Sequence, residues 1–454
     1  MIFGRKKPKP AANASKGDEV EIPNLEIKAM GVGKDEAVGL LIACKQLPGY
    51  PLALTLVANA LKSRADRILM DFTAQGVVVR NRVDGVWETS PALDRANGDA
   101  ALLVWKKVLG LNPTERKARQ DGKFATSFRD TDWIISLMST GVPNGERVLF
   151  TIDRKKPVLK TLADLGMRDA IEQSFKGMMN GHKGLVVVSA PATQGLPTTW
   201  RLALENADKF VRDWVLIDNI KNQEADIINV TEYFYEDGVD TIDALFEKVR
   251  LKQPDVFVLP ILNNADVTEA LLNQINKEDK HAVTRVVAPD AIEAILQVLR
   301  ANPKHIKGLV AVMQGALNQR LIRRLCESCK QPYQPTPQLL QKLNIPAGRV
   351  TKLFKPTIPP PPDQRVDAKG NPIEIEICKK CNGRGYFGRM ALFELLTIDA
   401  EMRQAILKMM DKPDELRAYA KQRGHLGFFE EGILACALGH TSLEEVQRAL
   451  QAKA

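Results

Sequence analysis

Between Gly184 and Met313, short apolar runs alternate with stretches of helical periodicity. This alternation narrows the possible folds more than any other feature of the chain. KGLVVVSAPATQGLPTTWRLALENA reads as a strand, a Gly/Pro loop and a helix. VRDWVLIDNI, QPDVFVLPIL, HAVTRVVAP and HIKGLVAVM read as further apolar strands, separated by helical stretches such as TIDALFEKVRL and VTEALLNQIN. Runs that are apolar throughout suit strands covered on both faces, and helices between them make the crossovers. The pattern predicts βαβ units and a mostly parallel sheet over roughly 158–318.

The flanking segments have other textures. Residues 1–25 read as a flexible basic leader, with five lysines and arginines and no acid among the first 17 residues. Leu25 to Leu61 reads as helical, broken at Gly31–Gly33 and Pro48–Pro51, which predicts a small helical segment over 26–64. ILMDF and GVVVRNRVDGVWE read as two strands joined by a Gly turn, a helix is expected at about 97–109, and QDGKFATSF, TDWIISLMST and GERVLFTID read as strands. Residues 65–157 are therefore expected to form an α+β domain. A proline-rich loop, KPTIPPPPDQ, lies within 319–396, and 397–454 reads as helices, the last capped by Thr441 or Ser442. Of the 454 residues 44% are apolar and 26% charged, which excludes collagen-like and largely disordered classes. No apolar run is long enough for a membrane span, and no apolar stretch follows the basic leader as a signal peptide requires.

Four of the six cysteines form two pairs, Cys326 with Cys329 and Cys378 with Cys381. Two C-x-x-C knuckles supply the four thiolates that zinc binds tetrahedrally, and no open position remains for catalysis. A structural zinc module over 319–396 is the expectation. Cys44 and Cys436 stand alone among apolar residues and read as small buried hydrophobes.

The loop after GLVVVS has the placement of a phosphate-binding loop without its chemistry. A working loop reads G-x-x-x-x-G-K-[ST]. The eight positions here are Ala190, Pro191, Ala192, Thr193, Gln194, Gly195, Leu196 and Pro197, followed by Thr198. Only the second glycine is present. Leu196 stands at the lysine that reaches the β/γ-phosphates, and Pro197 at the hydroxyl that holds Mg²⁺. Proline also removes a backbone N–H from the helix terminus where phosphate would bind, while fitting the first helical turn. Each charge-assisted hydrogen bond lost costs roughly 1.5–3 kcal/mol. Productive Mg-ATP binding is expected to be severely weakened, and Thr193, Gly195, Leu196, Pro197 and Thr198 read as a vestigial cofactor loop.

Several strings resemble those of the secretion and pilus-assembly ATPases of the GspE/PilB type, from type II secretion and type IV pili. They are RNRVDGVW (80–87), TERKARQDGKF (114–124), NGERV (144–148), LGM (165–167), LNQRLIRRLCESCKQPY (317–333), CKKCNGRGYFGRMALFELL (378–396) and EEGILACALGHTSLEEVQRA (430–449). The resemblance covers about residues 60–454. It implies an α+β domain like that family's second N-terminal domain, a RecA-like ATPase-type domain, a tetracysteine zinc module and C-terminal helices. It also implies oligomers, homo- or hetero-oligomeric, and inner-membrane platform proteins as partners. The location implied is cytoplasmic, with peripheral contact at the inner membrane allowed.

Departures from the family pattern cluster in its catalytic motifs. Asp218, Asn219 and Ile220 replace Glu-Asp-Pro, and Asp218 only partly substitutes for a glutamate that orients water. Pro260 and Ile261 stand at the Walker B glycine and glutamate, with Asn263 and Asn264 at its Arg and Asp. Of the histidine motif only His281 remains, Ala288 taking the second histidine position. Losing a catalytic base alone costs about 10²–10⁴-fold in rate, and here the lysine, the Mg²⁺ ligand and the Walker B glutamate are all gone. The expectation is a pseudo-ATPase acting as a scaffold or regulatory subunit of a secretion or pilus machine, alone or beside an intact ATPase paralogue. A weak or unusual ATPase motor and a zinc-containing nucleic-acid binder are the competing classes. Against the latter, the cysteine spacing is not that of DNA-reading fingers, and the aromatic residues are scattered.

Overall fold

The computed structural model describes residues 25–31, 33–143, 145–224, 226–346, 348–361, 364–365 and 373–451. The basic leader expected over 1–25 lies outside the described residues up to position 24. The chain divides into two compact units, one ending at Pro157 and the other beginning at Val158.

The first unit runs β1 (Glu26–Met30), α1 (Lys34–Lys45), α2 (Tyr50–Ser63), β2 (Ala65–Phe72), β3 (Val77–Val83), β4 (Val86–Thr89), α3 (Arg95–Val108), β5 (Gln120–Phe128), β6 (Thr131–Val142) and β7 (Gly145–Arg154). The strands form one antiparallel sheet in the order β1-β5-β6-β7-β2-β3-β4. Residues from α2 and α3 pack on this sheet, with Trp105 stacked on Phe124 and edge-on to Phe150. Two readings are corrected here. The segment 26–64 is not wholly helical: EIKAM is a strand, with Ile27 buried and its neighbours Glu26 and Lys28 exposed, and it pairs with β5. GVVVRNRVDGVWE is two strands, because Asp84 and Gly85 both take positive φ and close a tight hairpin turn.

The second unit continues with α4 (Asp169–Met179), β8 (Gly184–Ala190), α5 (Leu196–Glu205), β9 (Trp214–Asn219), β10 (Val230–Tyr235), α6 (Ile242–Arg250), β11 (Val256–Leu259), α7 (Ala265–Glu278), β12 (His281–Val287), α8 (Ala291–Ala301), α9 (Ile306–Val312) and β13 (Met313–Leu325). β14 (Gln331–Tyr333), α10 (Pro337–Lys342), β15 (Leu353–Lys355), β16 (Tyr386–Thr397), α11 (Ala400–Met409), α12 (Pro413–Gln422), α13 (Phe428–Ala437) and α14 (Leu443–Gln451) complete it. The sheet order is β10-β9-β11-β12-β8-β13-β16, parallel except for the antiparallel β13–β16 pair.

The wholly buried run of β8 explains this layering. Leu185 and Val187 face a core shared with α6 to α9, α11 and α12, while Val186 and Val188 face one shared with α4 and α5. HIKGLVAVM, expected as a strand, is mostly α9, and the strand begins only at Met313. A short apolar run without alternation fits either form; here Leu309 and Val312 bury one helical face. Residues 319–396 do not form a separate body, since their ends are strands of the central sheet. Ser442 accepts the Glu445 N–H at 3.2 Å and caps α14. Among the described residues no single helix is long and apolar enough to cross a membrane.

Candidate functional site

The loop between β8 and α5 is placed as a phosphate loop is placed, at the carboxyl end of a central parallel strand. Its path demands left-handed backbone at Thr193, φ +62°, and Gly195, φ +88°. At Gly195 a Cβ would also come within 3.0 Å of the Gln319 side chain, so glycine satisfies both constraints.

The loop's polar groups are engaged with β13. Gln319 donates from Nε2 to the Gln194 carbonyl at 2.6 Å, and its Oε1 accepts the Thr199 hydroxyl. Gln194 Oε1 accepts the Leu321 N–H at 3.0 Å. Deeper in the sheet, Asn318 Nδ2 donates to Ser189 Oγ at 2.8 Å and to the Ala288 carbonyl at 3.0 Å, while Ser189 donates to the Leu317 carbonyl. Sequence reasoning missed this network. Its one signal was a pair of adjacent amides, Asn318 and Gln319, after the apolar start of the strand, where only a partner makes burial tolerable.

Leu196 is buried and lines a cleft of about 460 Å³ at the carboxyl ends of β11 and β12. Pro260, Ile261, Val286 and Val287 line it too, beside the polar Asn222, Asn263 and Thr284, so apolar side chains take part of the space where a working site sets charge against phosphate and metal. Arg285 and Glu224 also line the cleft, where they pair with each other at 2.7 Å, the guanidinium lying over the Trp200 ring. Ile261 is nearly half exposed at the cleft. Asn264, at the expected Walker B aspartate, caps α7 by accepting the Asp266 and Val267 N–H groups at 3.0 Å. Ala288 is buried in the core.

The two residues read as vestigial catalytic groups are not brought together. Asp218 is buried near the carboxyl end of β9, where Oδ1 accepts the Asn219 N–H at 2.7 Å and the Asn222 side chain at 3.1 Å. His281 opens β12 at the opposite end of the sheet, in register with Gly184, whereas Val287 is the residue level with Ala190 beside the loop. Six residues of strand separate the two levels, about 20 Å. Burial pushes the His281 imidazole down to about 3, with help from the Arg212 charge, and neither ring nitrogen has a partner.

The four paired cysteines converge. Cys326 follows β13 and Cys381 precedes β16, and these strands pair antiparallel with Leu325 against Tyr386, which brings the knuckles to one end. The four sulfurs lie within 4.8 Å of one another, with Cys326–Cys378 at 3.9 Å and Cys329–Cys381 at 3.6 Å. Thiolates about 2.3 Å from a tetrahedral zinc ion are about 3.8 Å apart, so the donor set fits that ion. Backbone N–H groups of Cys381 and Lys380 bring the Cys378 thiol down to about 7, whereas burial pushes the Cys326 and Cys329 thiols up.

A family model described as type II/IV secretion system protein matches residues 46–448. The chain belongs to that family. Among its relatives, the type IV pilus assembly ATPase PilB of Thermus thermophilus is 25% identical over 395 residues, which are 86% of this chain and 42% of that protein. The putative type II secretion system protein E of Escherichia coli K12 is 24% identical over 434 residues, 92% of this chain and 83% of the other. In fold the chain is similar to the Legionella pneumophila ATPase DotB, at a TM-score of 0.52 and 11% identity over 88% of this chain and 95% of that one. The resemblance carried by the sequence motifs is therefore a family membership, and the chain spans less than half the length of the Thermus relative.

Proposed function

We propose that this chain is a catalytically degenerate member of its family, acting as a scaffold or regulatory subunit of a type II secretion or type IV pilus machine. The observation that carries the reading is the loop at 190–199. Its path and helix are retained, Leu196 and Pro197 stand at the lysine and hydroxyl positions, and Gln319 holds the loop against β13. A structural zinc held by Cys326, Cys329, Cys378 and Cys381 is part of the same proposal. Inner-membrane platform proteins of such a machine are the partners it calls for, in a homo-oligomer or a mixed assembly with an intact ATPase paralogue. The place of action in this reading is the cytoplasm, with peripheral contact at the inner membrane allowed.

The retained left-handed loop path and the buried Asp218 favour one second reading, a weak or unusual ATPase. Titration calorimetry with Mg-ATP and a phosphate-release assay on zinc-loaded protein separate the two. The expected result is no saturable binding in the micromolar range and phosphate release at background. Leu196→Lys alone does not restore either, because Pro197 and Ile261 still leave the metal and the attacking water without ligands. Micromolar binding, or hydrolysis abolished by Asp218→Ala, supports the motor instead. A chain that stays monomeric at all concentrations and captures no secretion or pilus component counts against the scaffold.

A further inference from the structure

Apart from the basic leader, the chain's positive charge is concentrated in the segment that holds the cysteine cluster. Residues 319–396 hold fourteen lysines and arginines against six acids, a net of +8, while the whole chain carries +9. Some of these cations are internal: Arg320 is buried and donates to carbonyls of α14, and Arg323 pairs with Glu445. Six others, Lys342, Arg349, Lys352, Lys355, Lys379 and Lys380, are exposed, and among the described residues no carboxylate pairs with them.

Several of these cations share one neighbourhood. Lys352 and Lys355 flank β15, which pairs with β14 just after the first knuckle. The chain then runs past both knuckles: Thr357 donates to the Cys329 carbonyl of the first, and a Cβ on Gly385, just after the second, would strike Pro356 and Ile358. Lys379 and Lys380 lie within that knuckle. Three exposed isoleucines, Ile358, Ile373 and Ile377, stand on the same stretch, and Glu374 and Glu376 fall between the last two.

We propose that this basic face is a docking surface for an acidic, partly apolar segment of a partner protein. Charge complementarity identifies the occupant. Unpaired ammonium groups held near one another repel, and a carboxylate-rich segment relieves that repulsion. The exposed isoleucines give such a segment's apolar side chains a place to bury. Glu374 and Glu376 oppose a phosphate backbone or an anionic bilayer, whereas a protein segment answers them with a single lysine or arginine.

The probe is a fluorescein-labelled peptide of glutamates interspersed with leucines, followed by anisotropy against the full zinc-loaded chain. Saturable binding is expected, weaker as salt rises, and weaker again when the leucines are replaced by serines. A variant carrying Lys352→Glu, Lys355→Glu and Lys380→Glu, matched to the parent in zinc content and melting, is expected to bind about tenfold less tightly. Should it fail to fold, Lys342→Glu with Arg349→Glu, away from the knuckles, is expected to weaken binding in the same direction. Peptide affinity unchanged in the variants overturns the proposal. So does tighter binding to phosphatidylglycerol vesicles or oligothymidylate than to the peptide.

Discussion

Replacing Gln319 with leucine tests whether the degenerate loop is held by β13. In the native chain one buried amide serves two partners, the Thr199 hydroxyl and the Gln194 carbonyl. Gln319→Leu keeps most of the volume and strands both. A buried polar group left without a partner costs about 1–3 kcal/mol, and water entering the loop returns part of that for the Gln194 carbonyl, which is only half-buried. The expected net loss is about 2 kcal/mol, or roughly thirtyfold in the equilibrium for local opening. Thr198 and Thr199 donate their backbone N–H groups to the Gly195 carbonyl, so their amides report that opening directly. Hydrogen exchange by mass spectrometry on the 190–200 segment is the assay. Adding Thr199→Val removes one of the two stranded groups and is expected to return about half of the lost protection. Unchanged exchange in Gln319→Leu, or a double variant whose costs simply add, refutes the reasoning.

Two further outcomes follow from the geometry. Metal analysis after zinc-replete expression is expected to give one zinc per chain, and Cys378→Ser is expected to lower that content and raise exchange across 319–396. Stability is expected to fall as pH drops below about 6.5, because the unfolded state takes up a proton on His281 that the native state refuses until about 3. The slope from this group alone approaches 1.4 kcal/mol per pH unit within that window, and His281→Leu is expected to remove it in urea titrations followed at several pH values.

Much of the fold could be read from the residues because burial leaves a plain mark on them. GLVVVSA has to be a strand covered on both faces, and two C-x-x-C pairs have to meet if they share an ion. Other elements left no such mark. EIKAM is too short for its alternation to stand out, and its partner, β5, lies some ninety residues away in sequence. Helix α9 and strand β13 sit in one apolar run whose division depends on what each half packs against. The loop's missing lysine and hydroxyl were legible as chemistry lost. What holds the loop was not, because the Gln319–Thr199 contact spans 120 positions and exists only once β13 lies beside β8. His281 shows the opposite limit: it fits a motif position, yet the strand carries it to the far end of the sheet.

The antiparallel pairing of β13 with β16 gives the cysteine cluster a role in strand alignment. Along β13, Leu317, Gln319 and Leu321 face the loop and α5, whereas Ala316, Asn318 and Arg320 face the other way. Sliding β13 by a single residue would exchange those faces and turn Gln319 away from the loop. An ion holding Cys326 and Cys329 to Cys378 and Cys381 would oppose a slide of β13 along β16, since it would fix where one strand ends relative to where the other begins. A metal at one end of β13 would thus steady the strand's alignment with β16 along the length that also carries Gln319.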